Sequence, residues 1–89
     1  TMNFVKLNGT EKQVKWAESI RNSFFENVPA ANEKAEQIMT DIVNMKTDAK
    51  FWIDEIQNKG VIGTIDVLMK CAGCVTEEEL SKYMISKMN

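Results

Sequence analysis

The stretch that decides the fold is Leu7-Asn8-Gly9-Thr10-Glu11-Lys12-Gln13-Val14-Lys15-Trp16-Ala17-Glu18-Ser19-Ile20-Arg21. Thr10 and Gln13 have the spacing of a capping box, in which each side chain accepts a hydrogen bond from the other's backbone N–H. The apolar residues that follow recur every three to four positions, as on the buried face of a helix. The sequence therefore predicts a first helix starting at Thr10, with Leu7 packed on its first turn. The predicted core face of this helix is Trp16, Ala17, Ile20 and Phe24.

Helical spacing continues along most of the chain, which has one proline and four glycines. Pro29 separates the first helix from the next. The pattern predicts further helices over about 30–45, from Thr47-Asp48 to Gly60, over about 62–72, and over 77–88 after a second capping box at Thr76. The predicted buried residues of these helices are Ala31, Ala35, Ile38, Met39, Ile42, Val43, Met45, Trp52, Ile53, Ile56, Ile62, Ile65, Leu68, Met69, Ala72, Leu80, Tyr83, Met84 and Met88.

Residues 3–7 are the only stretch with strand-like composition, and the turn residues Asn8-Gly9 end it. We expect an extended arm or a single edge pairing there. The predicted fold class is therefore all-α: a single domain over residues 1–89, with four to five short helices and a short extended N-terminal arm over residues 1–9. A chain of this length buries only about 60–65% of its unfolded surface, which predicts modest stability.

The composition argues against an enzyme. Histidine is missing, which removes the commonest general base and the commonest metal ligand. Cys71 and Cys74 form a CxxC motif after a helical run, whereas redox motifs usually lie at a helix start, where the thiol pKa is lowered. Zinc would need four ligands, so two chains would have to share the ion. We expect no cofactor and no metal, with Cys71 half-buried and Gly73 at a helix C-cap.

The sequence also indicates where the protein resides. It has no apolar run near the ~20 residues that a membrane span needs, and its N-terminus lacks a signal-peptide pattern. The expectation is a cytoplasmic protein without a membrane partner, with both cysteines reduced.

Charge is unevenly distributed along the chain. Residues 1–25 carry four basic and two acidic side chains, residues 26–57 three and seven, and residues 58–89 four of each. Free N–H groups at the Thr10 turn favour an anion, and Phe51 beside the core Trp52 is a candidate anchor for a partner. Glu11 and Glu18 interrupt the basic stripe, so a solvated face is the alternative. The candidate partner-binding residues are Lys6, Thr10, Glu11, Lys12, Lys15, Arg21, Lys50 and Phe51.

Two motifs carry a resemblance to a known module. The pattern Leu7-x-Gly9-Thr10-Glu11-Lys12-Gln13-x-x-Trp16-Ala17-Glu18-x-Ile20-Arg21, followed by Ala49-Lys50-Phe51-Trp52-Ile53-Asp54, resembles a recurrent small module of uncharacterised proteins in bacteria, their phages and other mobile elements. The resemblance spans the first two thirds of the chain. It ends at Glu55-Ile56, where the family continues with an Asn-Arg pair. The family has no established activity, so the resemblance implies a mobile-element context rather than a mechanism.

We therefore expect a non-enzymatic interaction module of phage or mobile-element type, which binds a protein or a nucleic acid through the first helix and its N-terminal turn. One alternative is a small host-defence inhibitor acting by occlusion or phosphate mimicry, with the acidic residues 26–57 as the mimic. Another is a structural oligomerisation domain that forms a homodimer through the Met-rich C-terminal helix. An exposed, uninterrupted basic patch would favour nucleic acid, and an exposed apolar patch would favour self-association.

Overall fold

The capping box at Thr10 is present and starts the first helix, as predicted. In the computed structural model, which describes residues 2–28 and 31–88, the N–H of Gln13 donates to Thr10 Oγ1 at 3.1 Å. The N–H of Thr10 donates in turn to Gln13 Oε1 at 3.1 Å. Helix α1, Glu11–Phe25, follows at once. Pro29, the predicted boundary of α1 and the next helix, lies outside the described residues.

The remaining helices form an all-α domain of the predicted class. They are α2, Glu33–Val43; α3, Ala49–Phe51, which continues directly into a π-helix, Trp52–Gln57; α4, Thr64–Ala72; and α5, Glu77–Lys87. Helix α1 packs against α3, the π-helix and α4, while α4 also contacts α2 and α5. Two starts differ from the predicted positions. Asn32 caps α2, and α4 begins only after Gly63. Asp48 caps α3, within the predicted start at Thr47-Asp48.

The extended arm is held to the domain by backbone hydrogen bonds. The N–H of Asn8 donates to the carbonyl of Thr47, and the N–H of Ala49 donates to the carbonyl of Asn8, both at 2.8 Å. Within the described residues, this parallel bridge between Asn8 and Asp48 is the only β pairing. Asn44 adds a second clamp, since its side chain accepts from the N–H of Val5 at 3.0 Å. The arm therefore belongs to the packed structure.

Trp52 lies at the centre of the core. Its side chain is fully buried, and its indole Nε1 donates to the carbonyl of Lys46 at 3.2 Å. Phe51, its neighbour, is only half-buried, as expected for one of two adjacent aromatic residues. The buried apolar residues are Leu7, Ala17, Ile20, Phe25, Ile38, Met39, Ile42, Val43, Ala49, Trp52, Ile53, Ile56, Val67, Leu68, Cys71 and Leu80.

Several residues predicted to be buried are exposed instead. Met45 follows the end of α2, Ile62 precedes the late start of α4, and Met88 lies beyond the end of α5, so none of them is held on a buried helix face. Ile65 is exposed because α4 turns Val67, Leu68 and Cys71 toward the core. The set of wrong burial predictions is Trp16, Ala31, Met45, Ile62, Ile65 and Met88.

Candidate functional site

Arg21, predicted as part of a basic surface, is buried. Only 4% of its surface is exposed, and one of its terminal nitrogens donates to the carbonyl of Val5 at 2.8 Å. The guanidinium lies 4.9 Å from the ring centre of Phe4, a cation–π distance. Burial lowers the pKa of Arg21, which the carboxylate of Glu18, 4.0 Å away, partly opposes. Arg21 therefore fastens the arm to α1 and is not available on the outer surface.

The other predicted basic residues are exposed but do not form an uninterrupted patch. Lys6 and Lys15 line a cleft of about 510 Å³ between the arm and α1, together with the acidic residues Glu11 and Glu18. The ammonium of Lys15 lies 3.7 Å from the carboxylate of Glu11. The charges that line this cleft therefore balance.

The N-terminal turn of α1 is largely occupied by the protein itself. The N–H groups of Thr10 and Gln13 bind each other's side chains, and the N–H of Val14 donates to the carbonyl of Thr10. Two of the groups on which an anion site would depend are thus already used. Thr10 has a clear structural role, which does not require a ligand.

Lys50 and Phe51 lie on α3, and neither lines the cleft between the arm and α1. Lys50 is exposed, and the ring of Phe51 is covered from one side by Lys46, whose ammonium lies 5.3 Å from the ring centre. The ring also meets Trp52 edge-on, with centres 5.6 Å apart. Phe51 is thereby fixed in place, and it does not line the cleft that Lys6 and Lys15 share.

Trp16 supplies the feature that the sequence interpretation missed. Although it lies in the middle of α1, 45% of its surface is exposed. Its indole Nε1 donates to Gln57 Oε1 at 3.0 Å, which fixes the ring at the edge of a groove between α1 and the end of the π-helix. We call this the Trp16 groove. It has a volume of about 460 Å³ and is lined by Trp16, Ser19, Ile20, Ser23, Phe24, Gln57, Gly60, Val61 and Ile62.

The π-helix positions the far wall of the Trp16 groove. Its wide turn is shown by the bond from the N–H of Asn58 to the carbonyl of Ile53, five residues earlier, at 2.9 Å. This segment turns Trp52 and Ile56 into the core and leaves Gln57 facing Trp16. π-Helical turns are rare and occur frequently at functional sites. No pattern in the sequence predicted one here.

A larger cleft of the described residues lies elsewhere, beside the arm and the end of α1. It has a volume of about 590 Å³ and combines the aromatic rings of Phe4 and Phe25, 5.7 Å apart, with two carboxylates. The lining residues are Met2, Phe4, Asn22, Phe25, Glu26, Val28, Glu36 and Met39.

Cys71 lies in the last turn of α4, and Cys74 follows that helix. Cys71 is fully buried, not half-buried as the sequence predicted, because α4 turns it toward the core beside Val67 and Leu68. Burial raises the pKa of its thiol to about 12, opposed in part by Lys46. Cys74 is half-buried, and Gly73 caps the C-terminus of α4, as expected. Across residues 2–28 and 31–88, no three Cys, Asp or Glu side chains come together as a metal would require.

In the same residues, every helix is too short or too polar to cross a lipid bilayer. Comparison with known proteins adds no further constraint. No protein family, no curated protein and no solved structure shows a significant match to this chain.

Proposed function

We propose that this chain is a non-enzymatic protein-binding module, and that the Trp16 groove receives an apolar segment of another protein. The observation that supports this is the half-exposed Trp16 in the middle of a well-formed helix. Tryptophan is enriched among the few residues that supply most of the binding energy at protein interfaces. A tryptophan exposed in this way has little to contribute to the core, which already contains Trp52.

The Trp16 side chain of the groove is already held in position without a partner. The hydrogen bond to Gln57 holds the indole in one orientation, so little side-chain entropy remains to be lost on binding. On the opposite wall Ile62 is 79% exposed, which adds apolar surface that a partner would cover. Ser19 and Ser23 border the groove on α1 and supply a polar rim.

Charge beside the groove favours a particular partner. Lys12 precedes Trp16 by four residues and therefore lies on the same side of α1. It is exposed, and among the described residues it makes no ion pair. The proposed partner segment thus carries an apolar side chain for the groove and a carboxylate for Lys12. The proposal keeps α1 as the binding element, and the apolar lining of the groove supports a protein partner.

The nucleic-acid alternative has weaker support. A backbone-binding surface needs several free cations, yet Arg21 is buried and Lys15 is paired with Glu11. The mobile-element context and the host-defence inhibitor remain predictions from the sequence alone. An inhibitor that acts by occlusion would use the same kind of protein contact.

Site-specific photo-crosslinking in the cell of origin tests the proposal. A photo-crosslinking amino acid replaces Ser19, which lines the groove, and in a matched control it replaces Ser81, an exposed serine on α5. We expect a protease-sensitive adduct from position 19 and none from position 81. Trp16→Ala and Lys12→Glu should each abolish the adduct.

Three outcomes would overturn the proposal. The first is the absence of any adduct at position 19, and the second is a nuclease-sensitive adduct, which would indicate nucleic acid. The third is an adduct that survives Trp16→Ala. Circular dichroism of each variant verifies that the helices remain formed, so that a lost adduct reports on the groove.

A further inference from the structure

The outward side of α4 is an apolar face that nothing in the described chain covers. Val67, Leu68 and Cys71 turn inward, which leaves Ile65 48% exposed and Met69 half-buried on the other side. The loops at the two ends of α4 add side chains that are still more exposed, Ile62 at 79% and Val75 at 81%. We call this surface the α4 face; it consists of Ile62, Ile65, Asp66, Met69, Lys70 and Val75.

The exposed apolar side chains of the α4 face are typical of a surface that binds another molecule. Soluble monomers expose single apolar residues freely, but contiguous apolar patches usually mark an interaction site. A cleft of about 490 Å³ runs along this face and is lined by Ile62, Met69 and Val75 among others. Methionine adapts its shape readily, which suits Met69 to a packed contact between helices.

The charges on the α4 face indicate which binding partner would be complementary to it. Asp66 and Lys70 are four residues apart, so they lie one above the other on the same side of the helix. Both are exposed, and neither makes an ion pair with another described residue. The acidic residue is followed one turn later by a basic residue, so the same pattern read in the opposite direction carries the opposite charges. When two such helices cross antiparallel about a two-fold axis, each acid faces the base of the other copy.

We propose that a second copy of this chain binds the α4 face, with the two α4 helices antiparallel. Asp66 of each copy then pairs with Lys70 of the other, twice by symmetry. The apolar side chains, chiefly Ile65 and Met69, supply the affinity, and the charges select the antiparallel orientation. This contact uses a different helix from the partner-binding surface of α1, and the two surfaces meet only at residues 60–62.

Charge reversal tests the proposal on the full chain by sedimentation equilibrium over a wide concentration range. We expect the wild type to form dimers. Asp66→Lys or Lys70→Asp alone should weaken the dimer by at least about tenfold, because like charges then face each other. The double substitution restores complementarity and should restore the dimer. An equimolar mixture of the two single variants should also form dimers.

The controls separate this inference from the proposed function. Glu78→Lys breaks the exposed pair with Lys82 on α5, 3.2 Å apart, and should leave the dimer unchanged. Trp16→Ala should also leave the dimer unchanged while abolishing the crosslinked partner. A wild type that stays monomeric at every concentration would overturn the inference. So would a dimer that ignores both single substitutions, since its contact would then lie elsewhere, as on the Met-rich α5.

Discussion

The indole Nε1 of Trp16 and the side-chain oxygen Oε1 of Gln57 are joined by a hydrogen bond of 3.0 Å, across 41 positions of sequence. The bond links α1 to the last residue of the π-helix. It holds an aromatic ring at the surface, where the ring can contact a partner, instead of drawing it into the core. The two tryptophans of the chain therefore have different roles, and these roles can be separated experimentally.

Trp16→Ala should lower the free energy of unfolding by only about 1 kcal/mol, the usual worth of a hydrogen bond, since much of the side chain is exposed already. Trp52→Ala should cost about 3–5 kcal/mol, because it leaves a cavity in the core. Urea denaturation followed by circular dichroism measures both. Equal losses for the two variants would contradict the assignment of Trp16 to the surface.

Arg21→Ala should lower the free energy of unfolding by about 2–3 kcal/mol, because it removes a buried, charged hydrogen bond to the arm. Amide hydrogen exchange should become faster in residues 3–7, which the guanidinium fastens. Lys15→Ala, a matched loss of an exposed cation, should change stability little, since surface ion pairs contribute weakly. Unchanged exchange in the arm would show that Arg21 does not hold it.

The buried thiol of Cys71 should lower the free energy of unfolding at alkaline pH. Burial raises the pKa of the thiol from its ordinary 9.0 to about 12 in the folded protein. Between these values the unfolded chain releases a proton that the folded chain retains, so the free energy of unfolding falls as pH rises above about 9. The slope from this one group reaches about 1.4 kcal/mol per pH unit.

Cys71→Ala is the control for this alkaline effect. The difference between the wild-type and variant stabilities should be constant below pH 9 and shrink toward pH 12. Urea denaturation at a series of pH values measures it. A difference that stays constant over the whole range would show that the buried thiol does not titrate as proposed. A thiol reagent should also modify Cys74 before Cys71 in the native protein.

Gly9→Ala should destabilise the fold more than Gly60→Ala. Both glycines have positive φ, +151° and +67°, so a side chain strains either position. At Gly60 a Cβ would meet nothing within 4 Å, which leaves a cost of about 1 kcal/mol from the backbone. At Gly9 it would lie 3.1 Å from the Cβ of Ala49, where the arm meets α3. Thermal unfolding ranks the two, and the reverse order would contradict this packing.

Labelled single- and double-stranded DNA and RNA should show no salt-dependent binding in fluorescence anisotropy. Arg21 is buried, Lys15 is paired with Glu11, and acids line the cleft beside Lys6, so few free cations remain near α1 to neutralise phosphates. Lys12→Ala/Lys15→Ala should therefore give the same signal as wild type. Binding at low salt that the double substitution weakens would restore the nucleic-acid interpretation and place it on α1.

Local signals in the sequence were enough to predict three of the helix starts. A cap needs only a side chain and a backbone N–H two or three residues away, so Thr10, Thr76 and the turn at Thr47-Asp48 could be recognised without tertiary information. The all-α class followed from apolar spacing for the same reason. The extended arm was also recognisable, because turn residues bound its short strand-like run.

The site was harder to predict, because its residues are defined by what packs against them. Apolar spacing shows which broad side of α1 is buried, but it does not show which residues lie in the middle of that side. The neighbours of α1 turned that centre toward Ala17, Ile20 and Arg21, and left Trp16 at the edge. The core position of Arg21 depends on the ring of Phe4, 17 residues before it, which no local pattern connects to it.

The sequence by itself thus determined where three of the helices begin, the all-helical class and the arm, since each is signalled by residues close together in the chain. Only the tertiary structure decided which tryptophan is buried, that Arg21 is a clamp, and that the π-helix presents Gln57 to Trp16. The physical reason is that burial is a property of contacts between distant segments. The periodicity of apolar residues indicates which side of a helix is buried. Packing against the other helices decides which residues on that side are buried most deeply.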